Sequence, residues 1–229
     1  MKRLLALLIV VLPSSLRRRV GRAILGWDVH PTAYIGPSLI LVSKLTMGPG
    51  SSIGPLNVVR GVEELRLGEG AKIAERNWIS GFPLGLAAFE HSPNRNPSLI
   101  LGNYAEITVG HKIDCSDRVE LRDHAVVAGF QTTILTHSLD LIRDRHIARP
   151  VEIGEHSAVM TDCILLSGTQ VPAYCIVSAG SVVNTKLTEE YTFYSGNPAR
   201  AERPLPETMG FFQRVDGGPA GRAAVTQSG

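Results

Sequence analysis

The stretch VEIGEHSAVMTDCILLSGTQVPAYCIVSAGSVVNTK, Val151 to Lys186, decides the fold because its pattern repeats every six residues. An aliphatic residue returns at each sixth position, and the residue four places after it is small. The aliphatic positions are Ile153, Val159, Leu165, Val171, Val177 and Val183. A period of six fits neither an amphipathic helix nor a half-buried strand. It is typical of a coil in which each short strand and its corner use six residues and three faces make one turn.

The same period runs upstream with interruptions. Aliphatic residues follow it from Ile35 to Val59, Leu67 to Ile79, Leu101 to Ile113 and Leu121 to Val127. The sequence therefore predicts an all-β protein in which a parallel β-helix occupies residues 29–203, with insertions at 80–98 and 134–150. Residues 1–28 form an apolar or amphipathic helical segment, and residues 204–229 are expected to be a largely flexible tail.

Composition excludes several classes of protein. The 229 residues are 44% hydrophobic and 19% charged, which is typical of a globular protein with an ample core. A net charge of +2 is too small to indicate a nucleic-acid partner. Three cysteines without a C-x-x-C spacing favour neither a disulfide framework nor a zinc site, and they fit a reducing compartment.

The N-terminus combines an apolar run with a basic cluster. The nine residues from Leu4 to Leu12 are apolar, whereas a membrane-spanning helix needs roughly 20. The positive cluster that follows, which disfavours export, is Arg17, Arg18, Arg19 and Arg22. We expect residues 1–25 to make peripheral contact with the inner face of the bacterial plasma membrane, with these arginines at anionic head groups and the protein cytoplasmic. The alternative is a helix that caps the hydrophobic end of the coil.

A family resemblance rests on the run from Val151 to Lys186 together with SAGSVV at 178–183 and SGNPAR at 195–200. These motifs resemble the C-terminal half of the hexapeptide-repeat acyltransferases, which include the galactoside and maltose acetyltransferases. The resemblance covers most of residues 29–203 and loosens toward the N-terminus. It implies a left-handed parallel β-helix, a homotrimer, and an acyl-CoA donor such as acetyl-CoA bound between adjacent subunits, with no metal.

Histidines are the candidates for catalysis, because acyl transfer to a hydroxyl needs a base near neutral pKa. His137 lies in the second insertion, just before the V-x-I-G strand. The resemblance implies that a histidine at this place is the general base, although T-H-S replaces the T-G-H-type arrangement here. The alternative is a loop histidine without a role.

His111 and Asp114 are further candidates. His111 occupies a corner position that small residues fill elsewhere, and a local rule broken inside a regular pattern points to a site. An ordinary corner histidine is an equally open interpretation. Asp114 is expected to orient a histidine or to bind the acceptor sugar, in the same cleft as His137 if the two lie on neighbouring coils.

The residues for the donor are implied by the resemblance alone. Cations would meet the nucleotide phosphates of CoA, and an extra Asn184 leaves open whether Thr185 or Lys186 takes the basic position. The implied contacts with the cofactor are Thr161, Ala179, Lys186, Arg200 and Arg203.

These features predict an O-acyltransferase that modifies a sugar hydroxyl, on a sugar or a lipid-linked oligosaccharide, in cell-envelope or exopolysaccharide biosynthesis. One alternative is a γ-type carbonic anhydrase whose metal is bound by His111, His124 and His137. Their spacing of thirteen residues is not a multiple of the coil's ~18, which ranks this lower. A non-catalytic β-helix that acts in assembly at the membrane is the other alternative.

Overall fold

Each six-residue repeat forms a short strand that directs one aliphatic side chain toward the axis of the coil. In the computed structural model, which describes residues 9–10 and 12–216, the chain winds as a coil of stacked parallel strands. The predicted parallel β-helix is thereby confirmed. The strands before the second insertion are β1 (Asp28–Val29), β2 (Tyr34–Ile35), β3 (Leu39–Met47), β4 (Ser52–Ile53), β5 (Val58–Leu67), β6 (Lys72–Ile73), β7 (Trp78–Ser80), β8 (Ser98–Leu101), β9 (Glu106–Ile107), β10 (Lys112–Asp114), β11 (Val119–Leu121), β12 (Val126–Val127) and β13 (Thr133–Ile134).

The remaining strands and the helices complete the described chain. They are β14 (His137–Asp140), β15 (Arg145–Ala148), β16 (Val151–Ile153), β17 (Ala158–Val159), β18 (Ile164–Leu165), β19 (Gln170–Val171), β20 (Ile176–Val177), β21 (Val182–Val183), β22 (Thr192–Gly196), β23 (Ala199–Pro204), helix α1 (Ser14–Val20), a π-helical segment (Gly21–Leu25) and 3₁₀ turns at Ala87–Phe89 and Gly210–Gln213.

Three faces result from the strand pairing. One runs from β2 through β4, β6, β9, β12, β17 and β20 to β22, and the other two join into one sheet because β3 and β5 are long enough to turn a corner. All pairings within the coil are parallel, whereas β14 with β15 and β22 with β23 are antiparallel. Aligned aliphatic side chains form the core: Ile35, Ile53, Ile73, Ile107, Val127, Val159 and Val177 are 0% exposed and follow one another up a single face.

One corner of the coil carries a ladder of side-chain acceptors. Each backbone N–H at this corner donates to the side chain one coil below, which satisfies buried donors that the strands leave unpaired. The ladder runs Ser38, Asn57, Asn77, His111, Thr132 and Cys163, with distances of 2.9 to 3.2 Å. The corner position that the sequence reserves for small residues is therefore a hydrogen-bonding position.

The N-terminal helical segment packs over the open end of the coil. Arg17 is 3% exposed and donates to the carbonyl oxygens of Ile9 at 3.1 Å and of Ile35. Arg18 and Arg22 also donate to coil carbonyls, at 2.6 and 2.8 Å. Arg17 is thus not a head-group contact, contrary to the prediction, because its guanidinium is buried against backbone acceptors.

The structure describes only part of each end of the chain. Residues 1–8 and 11, which include most of the apolar run, and residues 217–229 of the tail lie outside the described residues. Among residues 9–10 and 12–216, no helix combines the length and the hydropathy that a membrane crossing needs. Phe212 is 4% exposed and lies against Tyr174 and Tyr191, so the segment around it packs on the coil.

Candidate active site

The second insertion brings His137 onto a carboxylate. Asp114 ends β10 and His137 begins β14, the first strand of a hairpin that leaves the coil. The Nδ1–H of His137 donates to Oδ2 of Asp114 at 2.8 Å. The side chains are 28% and 12% exposed, so the pair lies at the edge of the protein surface rather than in the core.

Asp114 is held as an ionised acceptor. Its Oδ1 accepts the hydroxyl of Ser116 at 2.6 Å, and its Oδ2 accepts the backbone N–H and the hydroxyl of Thr136 at 2.9 and 2.8 Å. Burial by itself raises the pKa of Asp114, but the hydrogen bonds from His137, Ser116 and Thr136 outweigh it and lower that pKa below its ordinary value. The carboxylate therefore stays charged across the neutral pH range.

His137 takes its protonation pattern from this carboxylate. The hydrogen bond to Asp114 raises the pKa of His137, and burial opposes it without cancelling it. Because the ionised Asp114 requires a proton on Nδ1, the neutral ring carries its lone pair on Nε2. No hydrogen bond to Nε2 comes from the part of the chain that the structure describes, so this atom is available to a substrate.

Two phenylalanines of the first insertion contact the His137 ring. The Phe82 and Phe89 ring centroids lie 5.3 and 6.1 Å from that of His137, at interplanar angles of 87° and 78°. His146, on the returning strand of the hairpin, lies 5.4 Å from Phe89 and 6.3 Å from His137. The sequence assigned no role to His146 or to the two phenylalanines. Aromatic residues in a loop otherwise rich in Pro, Gly and Ala were the signal that was present.

Arg95 fastens the first insertion to the coil. Its side chain is buried, at 6% exposure, and its guanidinium donates to the carbonyl oxygens of Phe82 and Pro83 and to that of Ser116 at 3.0 Å. The same guanidinium lies 4.4 Å from the centroid of the Phe89 ring. Arg95 thus connects both aromatic neighbours of His137 to the loop that follows Asp114, and the sequence offered no sign of this.

A cleft of about 820 Å³ opens beside the His137–Asp114 pair. This volume lies within the range of ligand sites, about 300–1,000 Å³. Gly61 and Gly81 line it, and neither position admits a side chain, because a Cβ on Gly61 would lie 2.0 Å from the carbonyl oxygen of Gly81, and a Cβ on Gly81 would lie 2.5 Å from that of Cys115. The other lining residues are apolar and polar: Leu25, Ile40, Leu41, Val42, Val62, Phe82 and Pro83, with Ser43, Arg60, Glu63, Ser80, Asp114 and His137.

Comparison with solved structures agrees with the winding of the chain. A hexapeptide-repeat acetyltransferase from Vibrio cholerae superposes with a TM-score of 0.50 at 18% identity, over 89% of this chain and 90% of that chain. A variant of AntD, an N-acyltransferase from Bacillus cereus in complex with dTDP-4-amino-4,6-dideoxyglucose and coenzyme A, gives 0.55 at 14% identity, over 69% and 82%. This chain has the hexapeptide-repeat acyltransferase fold. No protein-family model and no curated protein sequence matches it.

Within this acyltransferase fold, His111 is a corner residue and not part of the cleft. It is 1% exposed, its Nδ1 accepts the backbone N–H of Thr132 at 3.2 Å, and its Nε2–H donates to the hydroxyl oxygen of Thr108 at 3.0 Å. Burial lowers the pKa of His111 to about 4, so the ring is neutral at physiological pH. The expectation that His111 shares the cleft with His137 therefore fails, since the ring fills the acceptor ladder inside the coil.

The five residues implied for the cofactor lie at three places on this fold. Thr161 and Ala179 lie at one corner on successive coils, where the backbone N–H of Gly180 donates to the carbonyl oxygen of Thr161 at 3.0 Å. Arg200 and Arg203 share β23, and the Arg203 guanidinium lies 4.6 Å from the centroid of the Phe193 ring. Lys186 is exposed and forms an isolated bridge with Gln170.

The three histidines that a γ-type carbonic anhydrase would use to bind its metal lie in three different environments. His124 stacks between Tyr104 and His156, with ring centroids 5.3 and 4.4 Å apart, on an outer corner of the coil. His111 is enclosed in the ladder, and His137 is bound to Asp114. No group of three His, Cys, Asp or Glu side chains suited to a metal occurs within residues 9–10 and 12–216. An intersubunit metal would require all three rings to reach the surface, and His111 does not.

Proposed function

We propose that this protein is an acyl-CoA-dependent O-acyltransferase that uses acetyl-CoA and acts on a sugar hydroxyl in cell-envelope or exopolysaccharide biosynthesis. The observation that carries the proposal is the His137–Asp114 pair, which leaves Nε2 unbonded at the edge of a ligand-sized cleft. The fold supports it, because the solved structures with similar coils are acetyl- and acyltransferases.

The geometry suits general-base catalysis. The acceptor hydroxyl oxygen attacks the thioester carbonyl carbon while Nε2 of His137 takes the hydroxyl proton. The tetrahedral intermediate then expels the CoA sulfur, the C–S bond breaks, and the proton passes from Nε2 to the thiolate. The products are an ester and free CoA. Asp114 remains ionised throughout, since it accepts hydrogen bonds from Ser116 and Thr136 as well as from His137, and it stabilises the imidazolium that forms.

Coenzyme A is proposed as the acyl carrier because the AntD variant described above was solved with it. A second AntD variant, also solved with coenzyme A, gives a TM-score of 0.54 at 13% identity, over 86% of this chain and 93% of that chain. Thr161, Ala179, Lys186, Arg200 and Arg203 are its proposed contacts, in a groove completed by the neighbouring subunit of a homotrimer. Peripheral membrane contact through residues 1–25, with a lipid-linked oligosaccharide as acceptor, belongs to the same proposal.

The test measures release of the CoA thiol from acetyl-CoA with a panel of sugars offered as hydroxyl and as amino acceptors. We expect hydroxyl sugars to support turnover and the His137→Asn variant to lose about a hundred- to ten-thousandfold in kcat, which is the usual contribution of a general base. His30→Asn, at an exposed histidine outside the cleft, is the matched control. Full turnover in His137→Asn would remove the base assignment, and turnover confined to amino sugars would replace O- with N-acylation.

A further inference from the structure

We propose that Arg60 binds an anionic group of the acceptor, a carboxylate or a phosphate, within the cleft that ends at His137. This inference rests on the proposed function, because it names the chemical class of the substrate for the same site. Three observations support it: the position of Arg60 in the strand register, the lack of partners for its guanidinium among the described residues, and the other partners of the carboxylates that share the cleft.

The strand register places Arg60 directly below the catalytic pair. Arg60 pairs with Ser80 on the next coil, and Ser80 pairs with Asp114 on the coil after that. Neighbouring strands are about 4.8 Å apart, so the Cα atoms of Arg60 and Asp114 are separated by about 10 Å. All three side chains line the same cleft. A substrate whose hydroxyl reaches Nε2 of His137 therefore extends along a row that leads to a cation.

The guanidinium of Arg60 has all of its donors free. Within residues 9–10 and 12–216 it forms no ion pair and donates no side-chain hydrogen bond. Its Cζ lies 5.4 Å from the centroid of the Trp78 ring, a contact that orients the group without using any N–H. An oriented guanidinium with a free pair of N–H groups matches the two oxygens of a carboxylate or phosphate.

Arginines on the adjacent face of the coil are different. Arg66 is paired with Glu64 at 2.8 Å, and Arg122 with Glu152 at 3.0 Å. Such pairs neutralise the cation locally and leave it little attraction for a ligand. The unpaired guanidinium of Arg60 therefore differs from those of Arg66 and Arg122.

The carboxylates that share the cleft have other partners. Glu63 accepts the hydroxyl of Ser43 at 2.6 Å, and Asp114 accepts hydrogen bonds from His137, Ser116 and Thr136. Neither lies within 4.0 Å of a guanidinium nitrogen of Arg60, which is the limit for an ion pair. Ser80, with its short side chain, is the one residue between Arg60 and Asp114 in this row of paired strands.

Direct binding to the full-length protein without acetyl-CoA tests this inference separately from catalysis. Titration calorimetry would use three probes: UDP for a phosphate source, methyl glucuronide for a carboxylate source, and methyl glucoside as the neutral reference. We expect one of the anionic probes to bind the natural protein at least tenfold more tightly than it binds Arg60→Gln, with Arg60→Lys in between because it retains charge but not the fork. Methyl glucoside should not distinguish the three proteins.

Arg66→Gln is the matched control, since Arg66 is an exposed arginine of the same strand that does not line the cleft. Loss confined to UDP assigns a phosphate-bearing acceptor, and loss confined to the glucuronide assigns an acidic sugar. The inference is overturned if neither anionic probe binds, if Arg60→Gln binds both as well as the natural protein, or if Arg66→Gln loses affinity equally. Failure of the proposed function has a different signature, namely Arg60-dependent binding without any acyl transfer.

Discussion

His137 and Asp114 act as one unit at the residue scale. Each changes the pKa of the other in the direction that favours the ion pair: that of His137 rises and that of Asp114 falls. A base must be neutral to accept a proton, so the raised pKa of His137 predicts that the rate increases as pH rises through that value. In the proposed mechanism, the carboxylate thus makes His137 a stronger base and shifts its working range to higher pH.

Asp114→Asn tests this coupling. The variant loses the charge that raises the pKa of His137, so we expect the acidic limb of the kcat/KM profile to move to lower pH. We also expect kcat to fall by about a hundredfold or more, because the ring loses its orientation and the imidazolium loses its counter-ion. A pH profile from pH 5 to 9 measures both effects. Asp162→Asn, at an exposed turn, is the control, and an unmoved acidic limb would contradict the assignment.

The two insertions decide the site at the scale of elements. The first lies between β7 and β8, and the second is the hairpin of β14 and β15 rather than an irregular loop. They meet where the backbone N–H of Ala148 donates to the hydroxyl of Ser92 at 3.1 Å and where Phe89 contacts His146. Together they enclose His137 on the side away from the coil.

Arg95→Met should release the first insertion while leaving the coil intact. The carbonyl oxygens of Phe82, Pro83 and Ser116 would lose a charged donor, and each such loss costs about 1–3 kcal/mol locally. We expect faster amide hydrogen exchange in residues 82–97 and a lower kcat, with Arg95→Lys restoring part of both. Arg76→Met, at an exposed corner, serves as the control. Unchanged exchange in residues 82–97 would show that Arg95 does not hold this insertion.

At the scale of the whole molecule, three histidines of the coil make the stability of the fold depend on pH. Burial lowers the pKa of His111 to about 4, and it also lowers those of His124 and His156. The unfolded chain, in which histidine pKa values are about 6.5, then binds more protons than the folded chain as pH falls below that value. The stability that these groups contribute is present above about pH 6.5 and is lost as pH falls, and for His111 the loss continues down to about pH 4. His137 works in the opposite direction, because its pKa is raised.

His111→Asn should therefore reduce the acid sensitivity of the fold. Asparagine occupies the same ladder at Asn57 and Asn77, so the acceptor for the Thr132 N–H is kept while the titrating group is removed. Urea unfolding at pH 7.5, 5.5 and 4.5 should show a smaller loss of unfolding free energy in the variant than in the natural protein. Turnover should stay close to that of the natural protein, and a large loss of kcat would return His111 to the catalytic group.

The sequence by itself determined the coil and the places where it is interrupted, and it predicted a role for His137 inside the second interruption. It could do so because the six-residue period is local and is repeated many times, so each aliphatic position supports the same interpretation. The fold was therefore predictable from Val151 to Lys186, whereas the role of His137 stays a prediction that combines the break before this run with the family resemblance.

Only the tertiary structure decided which side chains meet His137. Phe82, Phe89 and His146 contact it through the paths of two insertions, which the period does not encode. Asp114, which the sequence offered as a partner only on the condition that the two lie on neighbouring coils, reaches it through coil stacking. The tertiary structure also places His111 and Asp114 in different environments, although they are three residues apart. The His111 side chain turns into the corner ladder, and that of Asp114 turns out to the cleft. The physical reason is that these contacts join residues distant along the chain, whose approach depends on how the whole coil packs.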